Sequence, residues 1–143
     1  MKILIKLSLF ALLLAFSGCC SEPLEPLTPV ITGNPMRVVE SGSFVDQSDP
    51  TIEVIFIQFN QEQNDQTINN SSVIVEGMVG VSIKTSPNNL EIRGTPNCGA
   101  EQCLVKLTLK GIGDQAITNT VGSPLDGDDD KIDGGDFVQT FLF

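Results

Sequence analysis

The segment VKLTLK, residues 105–110, decides the fold class of this chain. Its apolar residues Val105, Leu107 and Leu109 alternate with polar residues, which is the period-two pattern of a β-strand that buries one face. An amphipathic α-helix would instead place its apolar residues three or four positions apart. The segment therefore predicts a half-buried strand, and other parts of the chain repeat the same period.

Further period-two runs lie at residues 52–59, 79–84, 90–93 and 137–143. In the run 79–84 the apolar residues Val79, Val81 and Ile83 share one parity, and the phenylalanines of 137–143 do the same, so each run predicts one buried face. The run 52–59 is apolar on both parities, which predicts either a strand buried on both faces or a bulge that switches faces.

Turn signals rich in Gly, Pro and Asn separate these runs. Short strands at this spacing are typical of a sandwich of two packed sheets. We therefore predict an all-β fold, a single immunoglobulin-like antiparallel β-sandwich of about seven strands over residues 37–143.

The composition excludes several classes of function. The chain has 143 residues, of which 18 are acidic, 8 are basic and none is histidine, and its formal net charge is -10. Without histidine it lacks the commonest general base and the commonest zinc ligand. Its acidity disfavours a nucleic-acid partner, because binding to phosphates needs a basic surface. We expect a protein that is not an enzyme and that binds no nucleic acid.

Residues 1–18 have the features of a bacterial export signal. Lys2 and Lys6 precede an apolar run that is too short to span a bilayer. The run ends in FSGC, residues 16–19, which resembles the lipobox at which signal peptidase II cuts before a cysteine that carries lipid. The resemblance implies a signal peptide over residues 1–18 and lipidation of Cys19. An ordinary secretory signal with cleavage nearby is the alternative.

Residues 19–36 predict a lipidated N-terminus followed by a flexible linker, because prolines that break helices and strands recur through them. In bacterial lipoproteins, an Asp directly after the lipidated cysteine often retains the protein at the inner membrane. Cys20 occupies that position here. The resemblance therefore implies an exported protein that is lipid-anchored to the cell envelope, at the outer membrane where the organism has one. The role of Cys20 stays open.

Cys98 and Cys103 form a second pair of cysteines, directly before the strand at residues 105–110. An exported protein folds in an oxidising compartment, so this short spacing predicts a local disulfide. A redox-active pair is disfavoured, because such pairs usually have about two intervening residues and a βαβ context.

Acidic residues are densest in residues 126–136, which contain six of the 18. Alternating carboxylates in a glycine-containing loop can converge on Ca²⁺, which takes about six to eight oxygen ligands. The candidate ligands are Asp126, Asp128, Asp130, Asp133 and Asp136. The first three have EF-hand spacing, but Lys131 stands where that loop needs glycine, which excludes a true EF-hand. A calcium site and a solvated acidic loop remain as alternatives.

Several of these segments together resemble the bacterial immunoglobulin-like domain named after the S-layer protein SbsA. That family has an early I-x-V-x-F strand, a later vtL.G strand, an LDGD…GGD segment and a closing F.F strand. The matching segments here are TIEVIF (51–56), VKLTLKG (105–111), ITNTVGSPLDGD (117–128), GGDF (134–137) and FVQTFLF (137–143). The resemblance implies a sandwich module of surface proteins that usually serves as a spacer or adhesive unit.

Together these features favour a non-enzymatic lipoprotein of the cell envelope. We expect an immunoglobulin-like module, tethered to the membrane through its N-terminal lipid, with a structural, adhesive or protein-interaction role. Its partner would be an envelope protein or surface ligand, and Ca²⁺ is the one cofactor that the sequence suggests. An envelope inhibitor or an accessory subunit of a larger complex is the alternative, and an enzyme based on carboxylates is the least favoured class.

Overall fold

A computed structural model describes residues 34–98 and 102–143. The predicted signal peptide, Cys19, Cys20 and the linker up to residue 33 lie outside the described residues. The described residues form seven strands, β1 (Val38–Val45), β2 (Glu53–Phe59), β3 (Val73–Glu76), β4 (Met78–Ser86), β5 (Asn89–Pro96), β6 (Leu104–Leu109) and β7 (Phe137–Leu142). One turn of 3₁₀ helix lies at Asp65–Thr67.

The seven strands form two sheets in which every neighbouring pair is antiparallel. The first sheet has four strands in the order β1-β2-β5-β4, and the second has three in the order β3-β6-β7. Lettered A to G along the chain, these orders read ABED and CFG, the arrangement of constant-type immunoglobulin domains. The predicted fold class, a single immunoglobulin-like sandwich, is confirmed.

Strand β6 confirms the prediction made from its alternating sequence. Val105, Leu107 and Leu109 are fully buried between the sheets, and Lys106 points to solvent. Val105 pairs with Phe141 of β7, which is 6% exposed, so the predicted buried face of the C-terminal phenylalanines is also present. Burying a side chain of this size contributes roughly 1.5–3 kcal/mol, and strands of both sheets contribute to the same core.

Strand β2 is buried on both faces, which resolves the alternative left open by its sequence. Ile55, Ile57 and Phe59 face the core, whereas Val54 points to the other side of the sheet and is still only 1% exposed. The pairing of β2 with β5 runs without interruption. β2 lies between β1 and β5 in the four-stranded sheet, and its second apolar face carries the buried Val54 and the half-buried Phe56.

Strand β4 departs from the expected alternation. Its pairing with β5 shifts register between Val79 and Ser82, and Gly80 within the shift has a φ of 64°. As a result Val79 and Val81 are 50% and 37% exposed and do not join the core, while Ile83 packs against it. The prediction of a single buried face over residues 79–84 is therefore wrong for the first half of the strand, because the bulge rotates those side chains outward.

Residues 110–136 connect β6 to β7 across one end of the sandwich. Ile117 and Leu125 anchor this connection in the core, and Leu125 also forms a parallel bridge with Met36, just before β1. The acidic residues predicted from the sequence lie in the second half of the connection. No helix among the described residues is long and apolar enough to cross a membrane.

Candidate metal centre

The acidic loop, defined here as residues 126–136, is fixed at its beginning by the N-terminal part of the domain. Leu125, directly before it, is fully buried, and the Asp126 N–H donates to the Met36 carbonyl oxygen at 2.7 Å. Phe137, directly after the loop, begins β7 and packs against the core. Both ends of the loop are therefore held by the sandwich, which limits the conformations of the residues between them.

Asp126, Asp128 and Asp130 lie close together in this loop. One carboxylate oxygen from each of them lies within 4.8 Å of the others. Asp126 is 1% exposed, whereas Asp128 and Asp130 are exposed to solvent. A group with one buried and two exposed carboxylates can take up a cation from solution at its open side.

The Asp126 carboxylate organises the turn that brings these side chains together. Its two oxygens accept hydrogen bonds from the amide N–H groups of Asp130 and Lys131, at 3.2 Å and 3.1 Å. The backbone is left-handed at Asp129, with a φ of 57°, and at Lys131, with a φ of 72°. Lys131 thus has the left-handed conformation that favours glycine, at the position where an EF-hand-type loop carries glycine.

The electrostatics of the cluster favour a bound cation. Burial raises the pKa of Asp126 above its ordinary value of 3.8, and the neighbouring carboxyl groups of Asp128 and Asp130 raise it further. The hydrogen bonds from Lys131 and Asp130 act in the opposite direction without cancelling the effect of burial. A cation between the three carboxylates would remove the repulsion that disfavours the charged form of Asp126.

Asp136, which the sequence places among the candidate ligands, has a different role. It accepts hydrogen bonds from Lys110 Nζ at 2.7 Å and from the Gly111 N–H at 3.0 Å. Burial alone would raise the pKa of Asp136, but these bonds and the charge of Lys110 outweigh it and hold the pKa below its ordinary value. Asp136 joins the loop to the end of β6 and already has a cationic partner.

The structure therefore brings together three of the five predicted ligands. Asp133 is partly buried in the same loop but does not belong to the group formed by Asp126, Asp128 and Asp130. Three carboxylates supply part of the oxygen set that Ca²⁺ requires, and backbone carbonyls or water would have to complete it. Carboxylate oxygens suit hard cations such as Ca²⁺ better than they suit soft metals.

Two glycines, Gly111 and Gly127, allow the loop to pack tightly on the end of β6. A Cβ atom on Gly111 would overlap the carbonyl oxygens of Gly135 and Leu125, and a Cβ on Gly127 would overlap the Phe137 amide nitrogen. The sequence does not show that Gly111 contacts the acidic loop. Lys110 beside it belongs to the alternating pattern of the strand, and no local pattern marks either residue as a partner of residues 126–136.

The predicted disulfide is present at the end of the sandwich opposite the acidic loop. A disulfide joins Cys98, which follows β5, to Cys103, which precedes β6, and their Cα atoms lie 5.6 Å apart. This agrees with the pairing predicted from their spacing. The bond connects the two sheets, since β5 and β6 belong to different sheets.

Comparison of the chain with protein-family models, with curated proteins and with solved structures finds no match.

Proposed function

We propose that this protein is a non-enzymatic lipoprotein of the cell envelope. An immunoglobulin-like module would be held to the membrane by lipid on Cys19 and would serve a structural, adhesive or protein-interaction role. The observation that carries the proposal is the order of features along one chain. A lipobox-like FSGC at residues 16–19 precedes a proline-rich segment and then a sandwich of constant-type topology.

The composition and the resemblance to SbsA-type domains support this role. The chain has no histidine for acid–base or nucleophilic catalysis. Modules of the resembled family act as spacers or adhesive units of surface proteins. Attachment at the N-terminus would leave the rest of the sandwich accessible to an envelope protein or surface ligand.

We include calcium in the proposal as a stabilising ligand of the acidic loop. The support comes from the convergence of three carboxylates within 4.8 Å, the burial of one of them and the raised pKa of Asp126. Lys131 in place of the expected glycine argues for weak affinity, in the extracellular range of about 10⁻⁴–10⁻³ M. Calcium here would order the module and would take no part in chemistry.

Lipidation is tested by detergent phase separation and intact-mass measurement of protein isolated from membranes. The wild type should partition into the detergent phase, because several acyl chains on one cysteine give stable membrane anchoring. Cys19→Ser should remain uncleaved or enter the aqueous phase. Cys20→Ser is the matched control, since it changes the neighbouring cysteine and should behave as the wild type does. Wild-type protein found entirely in the aqueous phase would overturn the lipoprotein assignment.

The partner is tested by affinity capture after cross-linking of intact envelopes, with the lipidated wild type as bait. A spacer or adhesive module should capture a structural envelope component or a surface ligand. An inhibitor or accessory subunit, the alternative role, should capture one enzyme or complex in fixed proportion. That second result would replace the structural role by the alternative.

A further inference from the structure

Residues 34–37, here called the N-terminal strap, are held against the domain although they precede β1. Asn60, directly after β2, makes three hydrogen bonds to the strap. Its Oδ1 accepts from the Arg37 N–H at 2.7 Å, its Nδ2 donates to the Pro35 carbonyl at 3.0 Å, and its own N–H donates to the Arg37 carbonyl at 3.0 Å. Pro35 and Met36 are buried. The strap is therefore part of the folded module.

The strap also touches the acidic loop directly. The Met36 carbonyl accepts the Asp126 N–H at 2.7 Å, and Arg37 Nη1 lies 3.4 Å from Asp129 Oδ1. Asp126 is the residue whose carboxylate holds the amides of Asp130 and Lys131. A chain of contacts thus runs from Asn60 through the strap to the residue that shapes the loop.

We infer that the strap is a conformational device that holds the acidic loop in its ordered form, so that displacement of the strap opens the loop. Displacing Met36 would leave the buried Asp126 N–H without its acceptor, which is costly for a buried amide. The loop would then lose the bonds that the Asp126 carboxylate makes. Because such coupling is reciprocal, disorder in the loop also loosens the strap.

Residue-resolved hydrogen exchange on the full chain tests this coupling. The variant Asn60→Ala removes two of the three bonds to the strap, and Asn60 itself lies outside the acidic loop. Losing the two bonds of the Asn60 side chain should make opening of the loop easier, so the amides of Asp130 and Lys131 should exchange roughly tenfold faster. Amides of β2 and β5 should stay within about twofold of the wild type, because local opening leaves the core strands closed.

Asn69→Ala is the matched control. Like Asn60, Asn69 has a side chain that bonds to the backbone, since its Oδ1 accepts from the Ser71 and Ser72 N–H groups, but it lies in the turn before β3. This variant should leave the Asp130 and Lys131 amides unchanged. Faster exchange of those amides in both variants would show general destabilisation and would overturn the inference.

In Asn60→Ala, the Arg37 amide could exchange faster while the Asp130 and Lys131 amides exchange as in the wild type. That result would also overturn the inference, because the strap would have loosened without opening the loop. If Asn60→Ala accelerates exchange throughout the sheets, Arg37→Ala decides the question. The Arg37 side chain is 40% exposed, so its removal leaves the core intact. Roughly threefold faster exchange at Asp130 and Lys131, above the twofold range of the core strands, is expected from the lost ion pair. No change in that variant would refute the coupling.

Discussion

Strands β6 and β7 and the acidic loop are neighbours in this fold, yet different forces hold them in place. The strand pair is fixed by apolar side chains such as Leu107 and Phe141, which are buried between the sheets. The loop is fixed by polar groups, through bonds to the Asp126 carboxylate and an ion pair between Lys110 and Asp136. Apolar burial is non-directional and roughly proportional to the buried area, whereas the loop depends on a few directional contacts that oppose charge repulsion.

This contrast has a consequence for stability and for function. The sheets should unfold as one cooperative unit, because their strands share one core. The loop can open locally while the core stays closed, because its bonds are few and close to solvent. The region suited to respond to a cation, residues 126–136, therefore contributes no apolar side chain to the core.

Among the changes considered, deleting residues 137–143 should lower the stability of the fold the most. The deletion removes the partner strand of β6 and the side chains of Phe137, Phe141 and Phe143, each worth roughly 1.5–3 kcal/mol when buried. The sum approaches the typical stability of a domain, about 5–15 kcal/mol. Circular dichroism should show no cooperative melt. Leu142→Ala, at a side chain that is 56% exposed, should melt within a few degrees of the wild type. A cooperative melt of the truncated chain near the wild-type temperature would show that β7 is peripheral.

Gly111→Ala should have the next largest effect, about 3 kcal/mol, because the new Cβ would overlap backbone atoms of Gly135 and Leu125. Gly113→Ala is the control. A Cβ at Gly113 would have open space around it, and the backbone there has a φ of 77°. The control should therefore lower the unfolding free energy by only about 1 kcal/mol, through backbone strain. Denaturant unfolding of both variants measures the difference. Equal losses would mean that the contact between the loop and β6 is not tight.

Calcium should raise the melting temperature of the wild type relative to EDTA. At a hundredfold excess over its dissociation constant the ion would stabilise the fold by about 2.7 kcal/mol, or roughly 10 °C for a domain of this size. Asp128→Asn combined with Asp130→Asn should abolish the shift, because it removes two of the three convergent carboxylates. Glu62→Gln combined with Asp114→Asn removes the same charge at exposed positions outside the loop and should keep the shift. Equal melting temperatures of the wild type in calcium and EDTA would favour a solvated loop without calcium.

Asp136→Asn should have the smallest effect, a loss of about 1 kcal/mol at neutral pH from its partly exposed bond with Lys110. The folded-state pKa of Asp136 lies below its ordinary value of 3.8. Its stabilisation is therefore fully present above that ordinary value and is lost as the pH falls through the lowered pKa. Denaturant unfolding between pH 7 and pH 2.5 should show the variant and the wild type converging in acid.

Lys110→Met should reproduce this loss at neutral pH, and the double variant should lose little more than either single variant. If the difference in unfolding free energy between the wild type and Asp136→Asn stays constant into acid, the role assigned to the ion pair is contradicted.

Most of the fold could be predicted from the sequence, because strand periodicity is a local property. The apolar residues that alternate in the sequence of β6 are the residues that are buried in the structure, and the disulfide of Cys98 with Cys103 agrees with the prediction from their spacing. The candidate site was predicted only in part. Asp126, Asp128 and Asp130 come together as their spacing suggests, whereas Asp136 pairs with Lys110 because the end of β6 returns beside the loop.

What the sequence by itself determined is the presence of five of the seven strands, all except β1 and β3, together with the faces of β6 and β7 and the position of the acidic loop in the chain. Only the tertiary structure decided that β2 buries both faces, that β4 bulges at Gly80, and that residues 34–37 hold the loop. The reason is the range of the interactions involved. Alternation is fixed by neighbours two residues apart, whereas Asp129 meets Arg37 across 92 positions of the chain, and no local pattern records which distant residues the packed sheets will bring together.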